Sequence, residues 1–140
     1  MLKGIPPVIS PDLLKILAEM GHGDELVISD AHFPAYSMNS RVVRADMVSS
    51  PDLMAAITKL IELDQYVDKP VMLMQPVPGD EIDPDLMSEI KNNLGGAVER
   101  IDFIERNAFY ERSKKAFAVV VSGESRIYGN IILKKGVTMP

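Results

Sequence analysis

The stretch from Met20 to His32, Met20-Gly21-His22-Gly23-Asp24-Glu25-Leu26-Val27-Ile28-Ser29-Asp30-Ala31-His32, holds both histidines of the chain and has carboxylates on either side of one apolar run. Imidazole gives and takes protons near neutral pH, which suits general acid–base chemistry. His22 lies between two glycines, which let the backbone bend and leave the ring little shielded by neighbouring side chains. Asp30 falls where the apolar run ends. If that run is a strand, Asp30 stands at its carboxyl end, where open α/β sheets present ligand-binding groups. His22 then lies at the opposite end, eight residues away, or about 26 Å of extended chain. One subunit brings the two together only if the strand is short and bent. The alternatives are two separate roles or a site shared between subunits. Blander readings stand beside these: a solvated loop histidine, and an aspartate that closes an Asx turn.

A second concentration of polar chemistry lies in the carboxyl half, in Arg106-Asn107-Ala108-Phe109-Tyr110-Glu111-Arg112 and in Tyr128-Gly129-Asn130. Arg, Tyr and Asn together donate to and accept from several hydroxyls at once, which suits a small polyhydroxylated ligand. The competing reading makes Phe109 and Tyr110 core residues and pairs Arg106 and Arg112 with carboxylates on the surface.

Other chemistries are excluded or disfavoured. There is no cysteine, so no disulfide frame, thiolate metal site or thiol nucleophile exists. Two histidines cannot make a three-histidine site, and although Asp30 and His32 could ligate a metal, none is expected. Dinucleotide, triphosphate, zinc-protease and serine-hydrolase signatures are missing. Fifteen Lys+Arg against twenty Asp+Glu give a net charge of −5 without a basic block, so nucleic acid is not an expected partner. The amino terminus lacks a signal-peptide core, and no apolar run approaches the ~18 residues of a membrane span. A cytoplasmic location with no membrane partner is the expectation.

These groups need a frame to hold them. At 140 residues, with 46% hydrophobic and 25% charged residues, the chain fits a single domain, 1–140. Ser10-Pro11-Asp12, Ser50-Pro51-Asp52 and Asp83-Pro84-Asp85 share the chemistry of a helix start, with a short oxygen side chain at the N-cap followed by proline. Apolar spacing then predicts helices over about 11–20, 51–63 and 84–94. Gly21 is placed to end the first as a left-handed residue, and Gly95-Gly96 to end the third. A short helix near 108–114 would be capped by Asn107. Between these lie apolar runs at 26–28, 42–43, 71–74, 101–104, 118–121 and 131–133, of a length suited to strands covered on both faces. The alternation predicts an α/β fold: a single-domain three-layer sandwich with a mainly parallel sheet. The last two strands lack a helix between them, which predicts an antiparallel edge hairpin.

Several stretches, taken together, resemble the fucose/ribose mutarotase family, and within it the fucose type. They are Leu13-Leu14-Lys15 through Met20-Gly21-His22-Gly23-Asp24-Glu25, Ser29-Asp30-Ala31-His32-Phe33-Pro34-Ala35, Arg44-Ala45-Asp46, and Phe109-Tyr110-Glu111-Arg112. Lys115-Ala116-Phe117-Ala118-Val119, Gly123-Glu124, Tyr128-Gly129-Asn130 and Leu133-Lys134-Lys135-Gly136-Val137 complete them. The resemblance runs from end to end and is weakest from Gln75 to Val98. It implies interconversion of the α and β pyranose anomers of a monosaccharide, L-fucose in the fucose type, with no cofactor. The family's proton-donor histidine falls on His22 and its substrate-binding aspartate on Asp30. Its Tyr-x-Asn substrate loop falls on Tyr128, Gly129 and Asn130. Arg106 falls where the fucose type carries Arg and the ribose-type pyranase carries His. Asp64 and Tyr110 lie in similar stretches without an assigned role. The family's ring-shaped homo-oligomers, decamers with sites at subunit contacts, would resolve the separation of His22 from Asp30. The alternatives are ribose-type pyranase activity on another monosaccharide and a non-catalytic sugar-binding protein.

Overall fold

Local helix-start chemistry operates much as the spacing predicts. In the computed structural model, which describes residues 1–140, Ser10 Oγ accepts from Leu13 N at 3.1 Å and starts α1 (Pro11–Glu19). Asp83 Oδ1 accepts from Asp85 N and Leu86 N at 2.8 and 3.2 Å and starts α4 (Pro84–Leu94). In α3 (Ser50–Ile57) the cap is Ser49 rather than Ser50, its hydroxyl accepting from Asp52 N at 3.3 Å. The shift is harmless to Pro51, because the first four N–H groups of a helix have no intrahelical partner. α3 stops at Ile57, short of the predicted 63. The Thr58 hydroxyl bonds back to Met54 O at 3.0 Å, and the chain turns there while keeping Ile61 buried in the same core.

Two further boundaries differ. Gly21 is not the left-handed residue after α1. Met20 is already extended, and positive φ falls instead on Gly23. α5 (Arg106–Lys115) starts earlier than predicted because Glu105, not Asn107, caps it. The two carboxylate oxygens of Glu105 accept from Asn107 N at 2.9 Å and Ala108 N at 3.1 Å. These two bonds hold the Glu105 acid below the usual carboxylate range. A one-turn helix, α2 (Ala35–Met38), and a 3₁₀ turn at Gly95–Arg100 carry no helical periodicity and were not expected.

The six apolar runs are all strands: β1 (Glu25–Ser29), β2 (Val42–Ala45), β3 (Val71–Met74), β4 (Ile101–Ile104), β5 (Ala118–Ser122) and β6 (Ile131–Lys134). They form one sheet in the order β2-β5-β1-β6-β3-β4. The pairs β1–β5, β2–β5 and β3–β4 are parallel, whereas β6 runs antiparallel to both β1 and β3. The mainly parallel α/β sandwich therefore stands, but the antiparallel strand is central and no edge hairpin joins β5 to β6. Burial accounts for this placement. Ile131, Ile132 and Leu133 are fully buried on both faces, a demand that only an interior slot meets. β2 and β4 keep exposed residues and take the edges.

Alternation along the strands divides the core into two layers. Leu26, Ile28, Leu73, Val120 and Leu133 face α1, α3 and α4. Val27, Met72, Val119 and Ile132 face the side holding Ala35 of α2 and Phe109 of α5. Each fully buried aliphatic side chain contributes about 1.5–3 kcal/mol, so the sheet is a rigid base for what projects from its ends. The strand directions gather the ends of β1, β3, β4 and β5 and the start of β6 at one edge of the sheet. The starts of β1 and β3 and the end of β6 lie at the opposite edge.

Candidate functional site

At the carboxyl edge, the antiparallel register of β1 and β6, with Ile28 opposite Ile131, brings Asn130 beside Asp30 across one hundred residues of sequence. The two form a reciprocal clasp. Asp30 N donates to Asn130 Oδ1 at 2.8 Å, and Asn130 Nδ2 donates to Asp30 Oδ2 at 3.0 Å. Asp30 Oδ1 accepts from His32 N at 3.0 Å, so the Asx turn of the blander reading is present together with the clasp. Both side chains are buried. Burial raises the Asp30 carboxyl above its ordinary range, with the His32 N–H and the Asn130 amide opposing that rise.

Tyr128 precedes this clasp in a left-handed conformation, φ 66°, the one non-glycine residue with positive φ. That geometry costs about 1–3 kcal/mol and persists only where surroundings impose it. Here the hydroxyl donates to Asp80 Oδ2 at 2.6 Å and accepts from Val77 N at 3.3 Å. The Asp80 carboxylate holds the Tyr128 phenol above its ordinary range. Gly129 cannot be replaced without displacement, because a Cβ there would stand 2.7 Å from Glu124 Cγ and 3.0 Å from Ser50 Oγ. Beneath it, Glu124 Oε1 accepts from Arg126 N at 3.0 Å and Arg126 Nε at 2.8 Å. Arg126 reaches on to Glu89 of α4 at 2.8 Å. The guanidinium holds the Glu124 acid below the carboxylate range despite its burial. The loop that carries Tyr128 and Asn130 is thus pinned on both sides.

These groups border a cleft of about 220 Å³, whose polar lining includes Asp30, Asn130, Tyr128, Arg106, Asp80 and Tyr110. Phe33 and Met74 supply apolar wall. The volume lies below the ~300–1,000 Å³ of drug-sized pockets, which suits a small ligand. Arg106 opens α5 and borders the cleft, whereas Arg112 is taken up by an ion pair with Glu25. The surface-pair reading therefore holds for Arg112. Phe109 is core, and Tyr110 packs its ring against Phe33 at 5.6 Å while facing the cleft. His32 borders the cleft too, its Nε2 donating to Ser125 O at 3.1 Å. Gly129 does not line it.

His22 stands elsewhere. It precedes β1 at the opposite edge, its ring 5.2 Å from that of Tyr66 and its Nε2 3.0 Å from Asp64 Oδ1. The backbone N–H of Tyr66 holds the Asp64 acid below its ordinary range, with His22 adding to the effect. One chain therefore assembles Asp30, Arg106, Tyr128 and Asn130 but not His22. Sequence reasoning missed Asp80, whose loop, Gln75-Pro76-Val77-Pro78-Gly79-Asp80, shows only turn composition. It also missed the supporting role of Glu124, although Gly123-Glu124 was among the similar stretches.

The chain matches the RbsD / FucU transport protein family over residues 3–138. The L-fucose mutarotase of Actinobacillus pleuropneumoniae serotype 5b (strain L20) is 56% identical, the match covering 99% of this chain and 98% of that protein. The L-fucose mutarotase of Haemophilus influenzae (strain PittGG) is 55% identical with the same coverage. The crystal structure of the fucose mutarotase in complex with L-fucose from Streptococcus pneumoniae, 47% identical, superposes with a TM-score of 0.94 over 99% of this chain and 100% of that one. With fold, length and sequence agreeing from end to end, the chain belongs to the RbsD / FucU transport protein family.

Proposed function

We propose that the chain is an isomerase that interconverts the α and β pyranose anomers of L-fucose. The observation that carries this reading is the full-length likeness to a fucose mutarotase that binds L-fucose, in a chain whose own cleft converges Asp30, Asn130, Tyr128 and Arg106. Ring opening breaks the bond between C1 and the ring oxygen. The O1–H electron pair becomes the carbonyl π bond, the O1 proton leaves, and the ring oxygen gains a proton. Closure on the other face of the aldehyde reverses each transfer. The reaction needs positioned proton donors and acceptors, worth about 10²- to 10⁴-fold. His22 is the proton-exchanging group in this reading. Asp30 accepts from a sugar hydroxyl, Arg106 and Asn130 donate to others, and Tyr128 with Gly129 shapes the loop that presents them. Arg106 favours fucose over ribose as substrate, by the family's own pattern at that position.

Since His22 lies at the opposite edge of the sheet, the working site takes its histidine from a neighbouring copy. The protein is then a homo-oligomer, the decamer its family resemblance implies, acting in the cytoplasm on free monosaccharide. The test is anomer exchange of L-fucose followed by NMR saturation transfer, alongside equilibrium binding. His22→Ala should lose at least 10²-fold in exchange with affinity within a few fold, because its interaction matters in the transition state. Wild-type exchange in His22→Ala would overturn the mechanism. Binding without exchange in the wild-type protein would favour a sugar-binding protein.

A further inference from the structure

The loop that leaves β3 brings Asp80 to the cleft through its own turn chemistry. Gln75 N donates to Ile104 O at 2.8 Å, which ties the start of the loop to the end of β4. Val77-Pro78-Gly79-Asp80 then turns back on itself, closed by the Asp80 N–H on Val77 O at 3.0 Å. Proline at the second position and a glycine with φ 94° at the third meet the demands of a type II turn. Both ends of this turn reach one atom of the neighbouring loop. Val77 N donates to the Tyr128 hydroxyl at 3.3 Å, and that hydroxyl donates to Asp80 Oδ2 at 2.6 Å. The grip helps to hold Tyr128 at φ 66°, a conformation that needs support from its surroundings. Asp80 is exposed and Tyr128 is buried, yet both border the cleft.

A phenol has a single proton to give, and a carboxylate only accepts. The 2.6 Å separation is that of a charge-assisted O–H···O⁻ bond, so the Tyr128 proton is committed to Asp80. The Val77 contact at 3.3 Å is long for an N–H donor and leaves the phenol oxygen with accepting capacity. We propose that Asp80 is a positioning residue: it takes the Tyr128 hydroxyl proton and so makes the phenol oxygen a fixed acceptor for one hydroxyl of the bound monosaccharide. This rests on the reading of the cleft as a sugar site, and adds to it the polarity of one contact. A sugar hydroxyl that donates to Tyr128 keeps its lone pairs for a donor such as Arg106, which borders the same cleft. The hydroxyl is then paired as donor and as acceptor. It also follows that Tyr128 is not the acid that protonates the ring oxygen, because its proton points to Asp80.

The experiment is a double-mutant cycle on the assembled protein, read by anomer exchange of L-fucose, with a tyrosine titration beside it. Tyr128→Phe keeps the ring and deletes the acceptor. Asp80→Ala frees the hydroxyl to rotate and turn its proton into the cleft. Each alone should raise KM by about 3- to 10-fold, the effect of one hydrogen bond. For Asp80→Ala, kcat should stay within about threefold, because the contact is made equally before and in the transition state. In the Tyr128→Phe background, Asp80→Ala should raise KM by no more than about twofold further, since Asp80 acts through the phenol. Effects that multiply in the double variant, or a wild-type KM in Asp80→Ala, overturn the proposal. The titration needs no sugar. The chain has four tyrosines, and loss of one step from the ultraviolet tyrosinate signal of Tyr128→Phe identifies that of Tyr128. Its ionisation should lie above the ordinary tyrosine range in the wild-type protein and fall in Asp80→Asn, which keeps the shape but not the charge, leaving Arg106 to favour the phenolate unopposed. An unchanged Tyr128 step overturns the proposal. If the wild-type protein neither binds nor exchanges L-fucose, the sugar reading fails and the proposal with it. Normal wild-type exchange with multiplying effects or an unmoved titration sinks the proposal alone.

Discussion

Replacing Asn130 by Asp alters one atom group and one charge at a buried contact of the cleft. The Asp30 N–H keeps its acceptor, because the oxygen at Oδ1 survives the change. The amide nitrogen that donates to Asp30 Oδ2 at 3.0 Å becomes an oxygen, so two carboxylates face each other at about that separation. At an effective dielectric of ~20, unit charges this close repel by about 5 kcal/mol. The pair avoids that cost by sharing a proton, and its second ionisation moves well above the ordinary carboxylate range near 4. Burial already raises Asp30 in the wild-type protein, so the shift adds to one of the same sign. With the native pair holding a proton that the unfolded chain has lost, stability falls as pH rises from about 4 through neutrality. Urea unfolding of Asn130→Asp at pH 5, 7 and 9, at one protein concentration, should show a variant near wild type at pH 5. By pH 9 it should be weaker by several kcal/mol, with about 5 as the ceiling. A deficit equal at pH 5 and 9, or no deficit at all, would refute the clasp as described.

Two smaller perturbations test the local accounts. Ser49→Ala should cost about 1 kcal/mol of stability through loss of the α3 cap, whereas Ser50→Ala should be neutral or stabilising, since its buried hydroxyl has no hydrogen-bond partner; thermal unfolding of the two variants side by side checks the order. Gly129→Ala should cost about 1–3 kcal/mol by overpacking against Glu124 and Ser50 and should weaken sugar binding by displacing Asn130, which calorimetry of L-fucose binding reads directly.

What was legible in the sequence was local. Caps at Ser10 and Asp83 depend on residues at most three apart, and the apolar runs state their own burial, so α1, α4 and the strands lie close to the bounds the sequence predicts, whereas α3 ends six residues short. Competition between neighbours was harder to read. Ser49 and Ser50 offer the same oxygen one position apart, and Glu105 outbids Asn107 by using two carboxylate oxygens where an amide has one. The position of β6 escaped notice because strand order is settled between distant segments: β5 and β6 are successive in the chain, yet β1 separates them in the sheet. The candidate site divides the same way. Asp30 and Asn130 were visible as polar residues at the ends of apolar runs, but their mutual clasp follows from the antiparallel register. The partnership of His22 with Asp64 spans 42 residues and crosses a turn that no periodicity marks.

The two edges of the sheet carry different kinds of residue, and the difference has a chemical sense. At the carboxyl edge, donors and acceptors are buried, paired and pinned by Glu124, Arg126 and Glu89, an arrangement suited to the proposed task of holding sugar hydroxyls in fixed places. At the other edge, a half-exposed imidazole stands on a buried carboxylate, an arrangement that leaves part of the ring open to solvent, as the proposed proton exchange requires. A gripping surface gains from rigidity and enclosure, whereas a proton-exchanging ring needs one free nitrogen and access to the sugar. A chain this small could enclose both in one subunit only by bending a five-residue central strand that instead anchors both neighbours of the sheet core. In the proposed mechanism β1 keeps its place in the core, and a second copy supplies the histidine that completes the site. On that proposal assembly is part of the chemistry: a dissociated subunit should still bind L-fucose by calorimetry but lose anomer exchange by NMR saturation transfer, and full exchange by a dissociated subunit would refute it.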